Sequence, residues 1–450
     1  MKRYRNPRTI SFSAALPRFR SGEDDPRRFL ERCIETIEAH EPAVKAWVTL
    51  DLAAARAAAD ASARRYRQGA PLSGVDGCPV AIKDIIATAG MPTQMNSPIF
   101  AGWQSGQDAA CVQALRQGGA ILVGKTVTTE FAIGNSGPTT NPHDAARTPG
   151  GSSSGTAAAV GCGMVPVGLG TQTQGSTLRP ASFCGAVGFK GSLGVLPLGG
   201  VHPLSVTHDH LGVIGGTLED VWRIASRISL AMGSPGHPFL TGAADTPPPA
   251  RKPARLIRLY LKGWDEVDAP TRAVTEEMFA WLRGQGVAIL SRDDDAGIAR
   301  LEQWLDEGVA QSLDMVAYEM KWPFADYVER YGDRIGKRIR CLIARAGQLT
   351  PSEYERLLEN RARIRAEVRE IAGKADAFVT LAASSVAPVG HEFTGSRTFL
   401  AYWSWTGFPA FSLPLMSVGG LPLGLQLMGV GGKDGPLAAA ANWFMQARER

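Results

Sequence analysis

Apolar residues recur at intervals of three and four positions in a segment near the amino terminus. The pair Asp25-Pro26, a cap residue followed by proline at the first helical position, precedes this segment. Its apolar positions are Phe29, Leu30, Cys33, Ile34 and Ile37. The spacing predicts a helix. Further helices are predicted over 51–67, 108–117, 271–283, 299–372 and 435–448, and from Leu218 onward.

Short apolar runs between these helices predict buried strands. The run at 78–86 carries a single lysine, Lys83, among valine and isoleucine residues. Further strands are predicted at 120–124, 256–261, 287–290, 411–414 and 423–427. Strands and helices therefore alternate along the chain, and the alternation predicts an α/β fold with helices on both faces of the sheet.

The alternation continues over the whole length, so we predict one domain over residues 1–450. Within it we distinguish an amino-terminal arm with helices, a central core, a variable and largely helical region, and a carboxyl-terminal return to the core. These parts cover 1–70, 71–245, 246–375 and 376–450. We expect Pro7 and Pro17 to interrupt any helix in the first 22 residues, which leaves a solvated arm.

Composition narrows the classes of function. A hydrophobic fraction of 44% and a charged fraction of 20% are typical of a soluble globular protein. The net charge of +5 is mild for 450 residues and gives little support for nucleic-acid binding. The six cysteines are scattered, and His208 and His210 have no third clustered ligand, so neither a disulfide framework nor a metal site is predicted. No apolar run approaches the ~18 residues of a membrane span, and the expected location is the cytoplasm.

The segment 150–180 carries the chemistry. Two Gly/Ser clusters, Gly150–Gly155 and Gly170–Ser176, bracket a run of small and apolar residues. Glycine lets backbone approach backbone and lets N–H groups converge on one point. A serine among such N–H groups has what acyl transfer needs, a nucleophile beside an oxyanion site. The apolar run between the clusters argues against the alternative of a flexible linker.

Three segments between residues 80 and 155 match known sequence motifs, and each motif requires particular strands and helices around it. Gly119–Thr126 fits the phosphate loop, but a helix precedes it and a strand fills it, where that loop requires the reverse. Val80–Lys83 fits the lysine strand of protein kinases without the other kinase motifs. Gly151–Gly155 fits the nucleophile elbow, with Ser153 as nucleophile and His391 as the late histidine, although the segment before it is a poor strand. The elbow stays open as an alternative.

Taken together, these motifs resemble the amidase signature family. The resemblance spans most of the chain, with several independent motifs in the family's order. It implies a large mixed β-sheet with helices on both faces. The motifs are Pro79–Asp84, Gly90–Thr93, Gly124–Thr126, Asn141–Asp144, Gly150–Gly155, Gly170–Ser176, Pro180–Gly185, Asp209–Gly212 and Gly420–Gln426.

The resemblance implies a catalytic unit of two serines and a lysine. Ser176 matches the family's nucleophile, and Ser152 matches the bridging serine, which in the family sits on a cis peptide bond. Lys83 matches the lysine that accepts a proton from the bridging serine. The implied reaction is attack by Ser176 on an amide carbonyl, formation of an acyl-enzyme and hydrolysis. The implied oxyanion site consists of the backbone N–H groups of Thr173, Gln174, Gly175 and Ser176.

A lysine can act as a base only when it is uncharged. Lowering its pKa from about 10.4 to about 7 requires roughly 4–5 kcal/mol of differential destabilisation of the ammonium. An apolar strand around Lys83 can supply the desolvation part. Without the resemblance, a lysine at a strand end that reaches solvent would be the favoured interpretation.

The sequence departs from the family's common pattern at two positions. Gln172 and Gln174 stand where many members have Asp and Gly. Arg179 lies three residues after the proposed nucleophile, which resembles a branch that includes malonamidase-like enzymes, whose substrates carry a carboxylate. Arg179 and Thr171, with Ser153, are therefore the predicted substrate-binding residues. The alternative for Arg179 is a structural role in which it satisfies loop carbonyls.

These observations predict a serine amidohydrolase that needs no metal or organic cofactor and acts on a small amide, with a carboxylate-bearing one as the first choice. No nucleic acid or membrane is expected as a partner, and the oligomeric state stays open, a homodimer included. One alternative is the amidase subunit of a tRNA-dependent amidotransferase with an ammonia-channelling partner, and another is a catalytically silent binding protein. Substrate-shaping residues are expected in 185–215, 299–372 and 385–408, where Trp403 and Trp405 either line the pocket or belong to the core.

Overall fold

One mixed β-sheet of eleven strands runs through the computed structural model, which describes residues 4–234 and 236–449. In spatial order the strands are β1-β3-β2-β4-β6-β5-β10-β11-β9-β7-β8. Numbered along the chain, they are β1 Trp47–Leu50, β2 Pro79–Lys83, β3 Ile121–Thr126, β4 Val167–Gln172, β5 Val187–Lys190, β6 His210–Gly215, β7 Arg255–Arg258, β8 Ala288–Leu290, β9 Ala377–Leu381, β10 Ala410–Val418 and β11 Leu421–Met428. The predicted α/β fold with a mixed sheet is confirmed.

Fourteen α-helices in the described ranges cover this sheet. They are α1 Phe12–Ser21, α2 Pro26–Val44, α3 Leu52–Arg67, α4 Ala110–Gln117, α5 Ser154–Gly161, α6 Leu178–Cys184, α7 Leu218–Met232, α8 Ala269–Gly284, α9 Ala296–Glu319, α10 Lys321–Tyr331, α11 Lys337–Gly347, α12 Pro351–Ala372, α13 Ala401–Thr406 and α14 Asp434–Glu449. The predicted helix after Asp25 is α2, whose start is capped by the Asp25 side chain, an acceptor for the Arg28 N–H.

Alternate residues of the central strands point into two separate hydrophobic clusters. Val80 and Ile82 of β2 belong to the larger cluster, whereas Ala81 belongs to the smaller one, which also contains residues of α2, α3 and α5. Successive side chains of a strand point to opposite faces of a sheet. Helices therefore pack on both faces, as predicted.

The order of the strands determines where the chemistry lies. Strand β2 pairs in parallel with β4 on one side and with β3 on the other. The carboxyl ends of parallel strands lie at the same edge of a sheet, so Lys83 at the end of β2 and the end of β4 are neighbours. The Gly/Ser segment that follows β4 begins at this edge.

The amino-terminal segment differs from the prediction. Residues Phe12–Ser21 form helix α1 with Pro17 inside it, so the expectation of a solvated arm is wrong for this part, while residues 1–3 lie outside the described residues. Proline inside a helix removes a hydrogen bond at a cost of about 3 kcal/mol. Here α1 buries Phe12 and Phe19, and the Phe19 ring packs edge-on against Phe29 and Tyr66. Burial of two aromatic side chains offsets that cost.

No helix in the described part of the chain is long and apolar enough to cross a bilayer.

Strands β7 and β8, from the region 246–375, pair in parallel with each other at one edge of the sheet. The division of the chain into four parts stays a prediction.

Replacement of Phe19 by alanine tests whether α1 belongs to the core. We expect Phe19→Ala to lower the free energy of unfolding by about 3–5 kcal/mol, the usual cost of removing a buried aromatic ring. The matched control is Arg18→Ala, since Arg18 is the neighbouring residue, is half exposed and pairs with an exposed Glu23. Such pairs contribute about 0–1 kcal/mol. Equal losses for the two variants in urea unfolding would contradict the assignment.

Candidate active site

Lys83 lies at the centre of the site. Its side chain is fully buried, and hydrogen bonds of 2.7 Å join its Nζ to Ser152 Oγ and to Thr171 Oγ1. An uncharged amine has two N–H groups and one lone pair, so it can donate to one hydroxyl while it accepts from the other. The arrangement therefore suits proton transfer between the lysine and a serine.

Burial lowers the pKa of Lys83 well below its ordinary value of 10.5. The charge of Asp209 opposes this shift, as a smaller effect. Desolvation disfavours the charged ammonium, and the two hydroxyls around Nζ carry no charge that would restore it. The surroundings of Lys83 therefore favour the uncharged amine relative to the ammonium.

Ser152 and Ser176 both line one cavity of about 420 Å³. The peptide bond before Ser152 is cis, as the resemblance implies. Gly150 has a φ of 81°, and a Cβ there would lie 2.9 Å from the Cα of Pro180. Only glycine permits both the positive φ and this close approach, which brings the Ser152 loop against the segment that carries Ser176. The Ser153 N–H donates to the Ser176 carbonyl at 3.2 Å and joins the two segments.

The predicted oxyanion residues, 173–176, form a turn that also lines this cavity. Their four backbone N–H groups donate to no acceptor within the described ranges. The Thr173 hydroxyl donates to Asp209 at 2.7 Å, and Asp209 in turn accepts from the N–H groups of Leu204 and Ser205. Free N–H groups on a turn that is held in place are what a developing oxyanion requires.

Gln172 supports the turn without a charge. Its Oε1 accepts from the N–H groups of Thr177 and Leu178 at 3.0 Å each, at the start of α6, and its Nε2 donates to Ser404. An amide oxygen satisfies the unpaired N–H groups of a helix start, as a capping side chain does. Gln172, which stands where many family members have Asp, is therefore held by three hydrogen bonds of its neutral side chain.

Two predicted substrate-binding residues lie behind the cavity instead of lining it. Thr171 contacts Lys83, and the hydroxyl of Ser153 bonds to the backbone of Thr171, donating to its carbonyl and accepting from its N–H at 3.3 Å. The clamp of Thr171 with Arg179 stays a prediction, in which the Thr171 hydroxyl would have to serve Lys83 as well. The elbow alternative is wrong, since Ser153 is fully buried and the exposed His391 does not line the cavity.

Arg179 lines the cavity and also joins its walls. Its guanidinium donates to the Gly151 carbonyl at 2.7 Å, to Thr394 Oγ1 at 3.2 Å and to the Ser396 carbonyl at 3.1 Å. Its Nε is buried without a partner in the described residues. Burial lowers the pKa of Arg179 to about 9, and the charges of neighbouring arginines add to the shift. The hydrogen bonds to loop oxygens favour a structural role for Arg179, and its unpartnered Nε favours a role in substrate binding.

The remaining walls come from distant segments. Val309 and Arg338 contribute from 299–372, and residues 392–398 contribute from 385–408, whereas 185–215 contributes none. Trp403 and Trp405 are fully buried in the core and do not line the cavity. Sequence reasoning missed the segment 129–136, which follows β3. Because β3 is parallel to β2, the rule that sites form beyond the carboxyl ends of parallel strands could have found it.

Comparison with known proteins identifies the family. The sequence profile described as Amidase matches residues 28–437. The chain belongs to the amidase signature family. It is an enzyme of the amide-hydrolysing class, and the alternative of a catalytically silent binding protein is set aside. Among curated relatives, a glutamyl-tRNA(Gln) amidotransferase subunit of Chloroflexus aggregans is 31% identical over 461 residues, which cover 93% of this chain and 92% of that protein.

Two solved structures illustrate the range of amidase signature enzymes with this fold. A crystal structure described as that of an amidase has a TM-score of 0.84 and 25% identity, and covers 98% of this chain and 100% of its own. A glutamyl-tRNA(Gln) amidotransferase subunit from Thermotoga maritima has a TM-score of 0.71 and 26% identity, and covers 93% of this chain and 91% of its own. Both support the mixed-sheet architecture.

A comparison of wild type with Lys83→Met tests the state of the buried amine. Between the lowered pKa of Lys83 and its ordinary value of 10.5, the unfolded chain binds a proton that the folded protein does not. The wild type should therefore gain stability relative to Lys83→Met as pH rises through this window, by up to about 1.4 kcal/mol per pH unit. Unfolding midpoints measured across pH check this. Parallel curves for the two proteins would show that Lys83 is charged in the fold.

Proposed function

We propose that this protein is a serine amidohydrolase that cleaves the C–N bond of a small, carboxylate-bearing amide. Ser176 is the nucleophile, Ser152 relays the proton and Lys83 is the base. The observation that carries the proposal is the 2.7 Å hydrogen bond from the buried Lys83 to Ser152, at the edge of a cavity that Ser176 also lines.

In the first half of the reaction, Ser176 Oγ attacks the substrate carbonyl carbon. Its proton passes to Ser152 Oγ, which transfers its own proton to the uncharged Lys83 Nζ. The carbonyl oxygen becomes an oxyanion and accepts from the backbone N–H groups of 173–176. The geometry favours this order because Ser152 lies between the buried amine and the cavity.

In the second half, the tetrahedral intermediate collapses and the C–N bond breaks. The proton held on Lys83 returns through Ser152 to the leaving nitrogen, so the amine departs uncharged and Ser176 carries the acyl group. Water then attacks the acyl carbon and gives up a proton through Ser152 to Lys83. That proton returns through Ser152 to Ser176 Oγ as the ester bond breaks, so the carboxylic acid leaves and the free serine is restored. Lys83 is therefore uncharged again once the acyl-enzyme has formed and once it has been hydrolysed, as its buried surroundings favour.

The chemistry of the walls supports an anionic substrate. Arg179 faces the cavity with a buried Nε that has no partner in the described residues. A carboxylate that accepts from this N–H would complete its hydrogen bonding, which favours an acid group near the reacting amide.

A second candidate is the amidase subunit of a tRNA-dependent amidotransferase. The curated relatives favour it, because the amidotransferase subunit of Chloroflexus aggregans is 31% identical across nearly the whole chain. The test is glutamine hydrolysis by the isolated chain, and glutamine-dependent conversion of glutamyl-tRNA(Gln) when the remaining subunits of such an enzyme are added. Transfer to tRNA would establish this candidate. Hydrolysis of other amides without glutamine hydrolysis would exclude it.

Labelling with a fluorophosphonate probe tests the nucleophile. We expect the wild type to be labelled and Ser176→Ala to be unlabelled, because the probe reacts with an activated serine. Ser154→Ala, in which a neighbouring hydroxyl that bonds to the Val127 carbonyl is removed, should keep the label. An unlabelled wild type or a labelled Ser176→Ala would count against the proposal.

Lys83→Ala should lower the hydrolysis rate by ~10² or more near neutral pH, the usual contribution of a general base.

A panel of matched amides tests the substrate class. Succinamate and butyramide share the same chain and differ in whether the far end is a carboxylate or a methyl group, and malonamate with propionamide forms a shorter pair. We expect kcat/KM to be at least about tenfold higher for the acid of a pair, which corresponds to about 1.4 kcal/mol. A preference for the neutral amides in both pairs would contradict the proposed substrate class.

A further inference from the structure

Three arginines line the catalytic cavity. Arg179 is joined there by Arg338 from α11 and by Arg397 from the loop before α13. Within the described ranges, the acidic residue that lines the cavity is Glu392, whose side chain is exposed and forms no ion pair. The wall therefore carries an excess of positive charge.

Arg338 differs from the other arginines of α11 in having no acidic partner among the described residues. Arg340 and Arg345 of α11 are paired with Asp333 and Asp314. Arg338, on the same helix, forms neither a hydrogen bond nor an ion pair with any described residue, and its side chain faces the cavity. Arg397 likewise has no acidic partner in the described part of the chain. The chain thus neutralises arginines on this helix outside the cavity and leaves the cavity arginines without a counter-ion.

Gln174 holds Arg397 beside the reacting centre. A hydrogen bond of 2.8 Å runs from Arg397 Nη1 to Gln174 Oε1. Gln174 belongs to the turn whose N–H groups face the cavity, and its Nε2 is buried without a partner in the described residues. Two donors, an amide N–H and a guanidinium, are therefore available next to the position of the substrate carbonyl. The common glycine of the family has no side chain that could form this contact with Arg397.

The charges of this wall act on one another. Burial is the main cause of the lowered pKa of Arg179, and the charges of Arg338 and Arg397 lower it further. An anion between them would reduce this repulsion, whereas an ammonium group would add to it. Arg338 and Arg397 also line a neighbouring groove of about 570 Å³, which leaves room for a second acid group beyond the first.

We propose that Arg397, Arg338 and Gln174 form a second anion subsite that selects amides with two free carboxylates and rejects amides of α-amino acids. The inference rests on the proposed function and names the substrate class of the same site. Arg179 receives the first carboxylate. Arg338 and Arg397 determine specificity through the second.

The test uses three amides that differ at one carbon. Glutaramate carries hydrogen there, glutamine carries an ammonium, and the matching monoamide of propane-1,1,3-tricarboxylic acid carries a second carboxylate. Binding to the full-length Ser176→Ala protein, measured by calorimetry, separates recognition from turnover. We expect the dianion to bind at least about tenfold more tightly than glutaramate and about a hundredfold more tightly than glutamine, since charge-assisted hydrogen bonds replace repulsion.

Variants of the wall, each combined with Ser176→Ala, then assign the preference. Arg397→Gln and Arg338→Gln should each reduce the preference for the dianion over glutaramate about tenfold, whereas Arg340→Gln, on the same helix but paired outside the cavity, should leave it unchanged. A preference for glutamine, no measurable binding of the dianion at millimolar concentration, or an unchanged preference in both cavity variants would overturn the subsite. Preferential binding of the dianion without hydrolysis of any amide by the wild type would leave the subsite standing and refute the proposed hydrolase.

Discussion

The site depends on a lysine side chain that is buried and, among the described residues, has no acid as a hydrogen-bond or ion-pair partner. Two uncharged hydroxyls, those of Ser152 and Thr171, surround its nitrogen. The ammonium is disfavoured there because water is excluded and no carboxylate is in contact. This constraint requires apolar surroundings, and the two hydrophobic clusters on either face of β2 supply them.

Local patterns in the sequence predicted many of the helices and strands, whereas the proposed catalytic residues came from the resemblance to the family. Helical spacing found α2, and the apolar run around Lys83 found β2, because burial on both faces leaves a continuous apolar segment. Pro17 predicts that the arm has no helix, and this prediction is wrong. Helix α1 is stabilised by aromatic contacts with residues about 10 to 50 positions away in the chain. Local propensity cannot register such contacts.

The walls of the cavity were harder to predict for a related reason. The resemblance to the malonamidase-like branch assigns Thr171 to the substrate, yet its hydroxyl contacts Lys83. The segment 129–136 has no sequence motif, and it reaches the cavity only through the parallel order of β3 and β2. Arg338 and Arg397 lie more than 150 residues from Ser176 in the sequence, so no spacing relates them to it.

The cavity combines two sources of side chains with separate origins in the chain. Lys83, Ser152 and Ser176 come from the end of β2, the loop before α5 and the turn after β4, whereas Arg338 and Arg397 come from α11 and the segment before α13. Substitutions in α11 or in the loop before α13 would therefore reshape this wall of the cavity at a distance in the chain from β2 and its buried lysine.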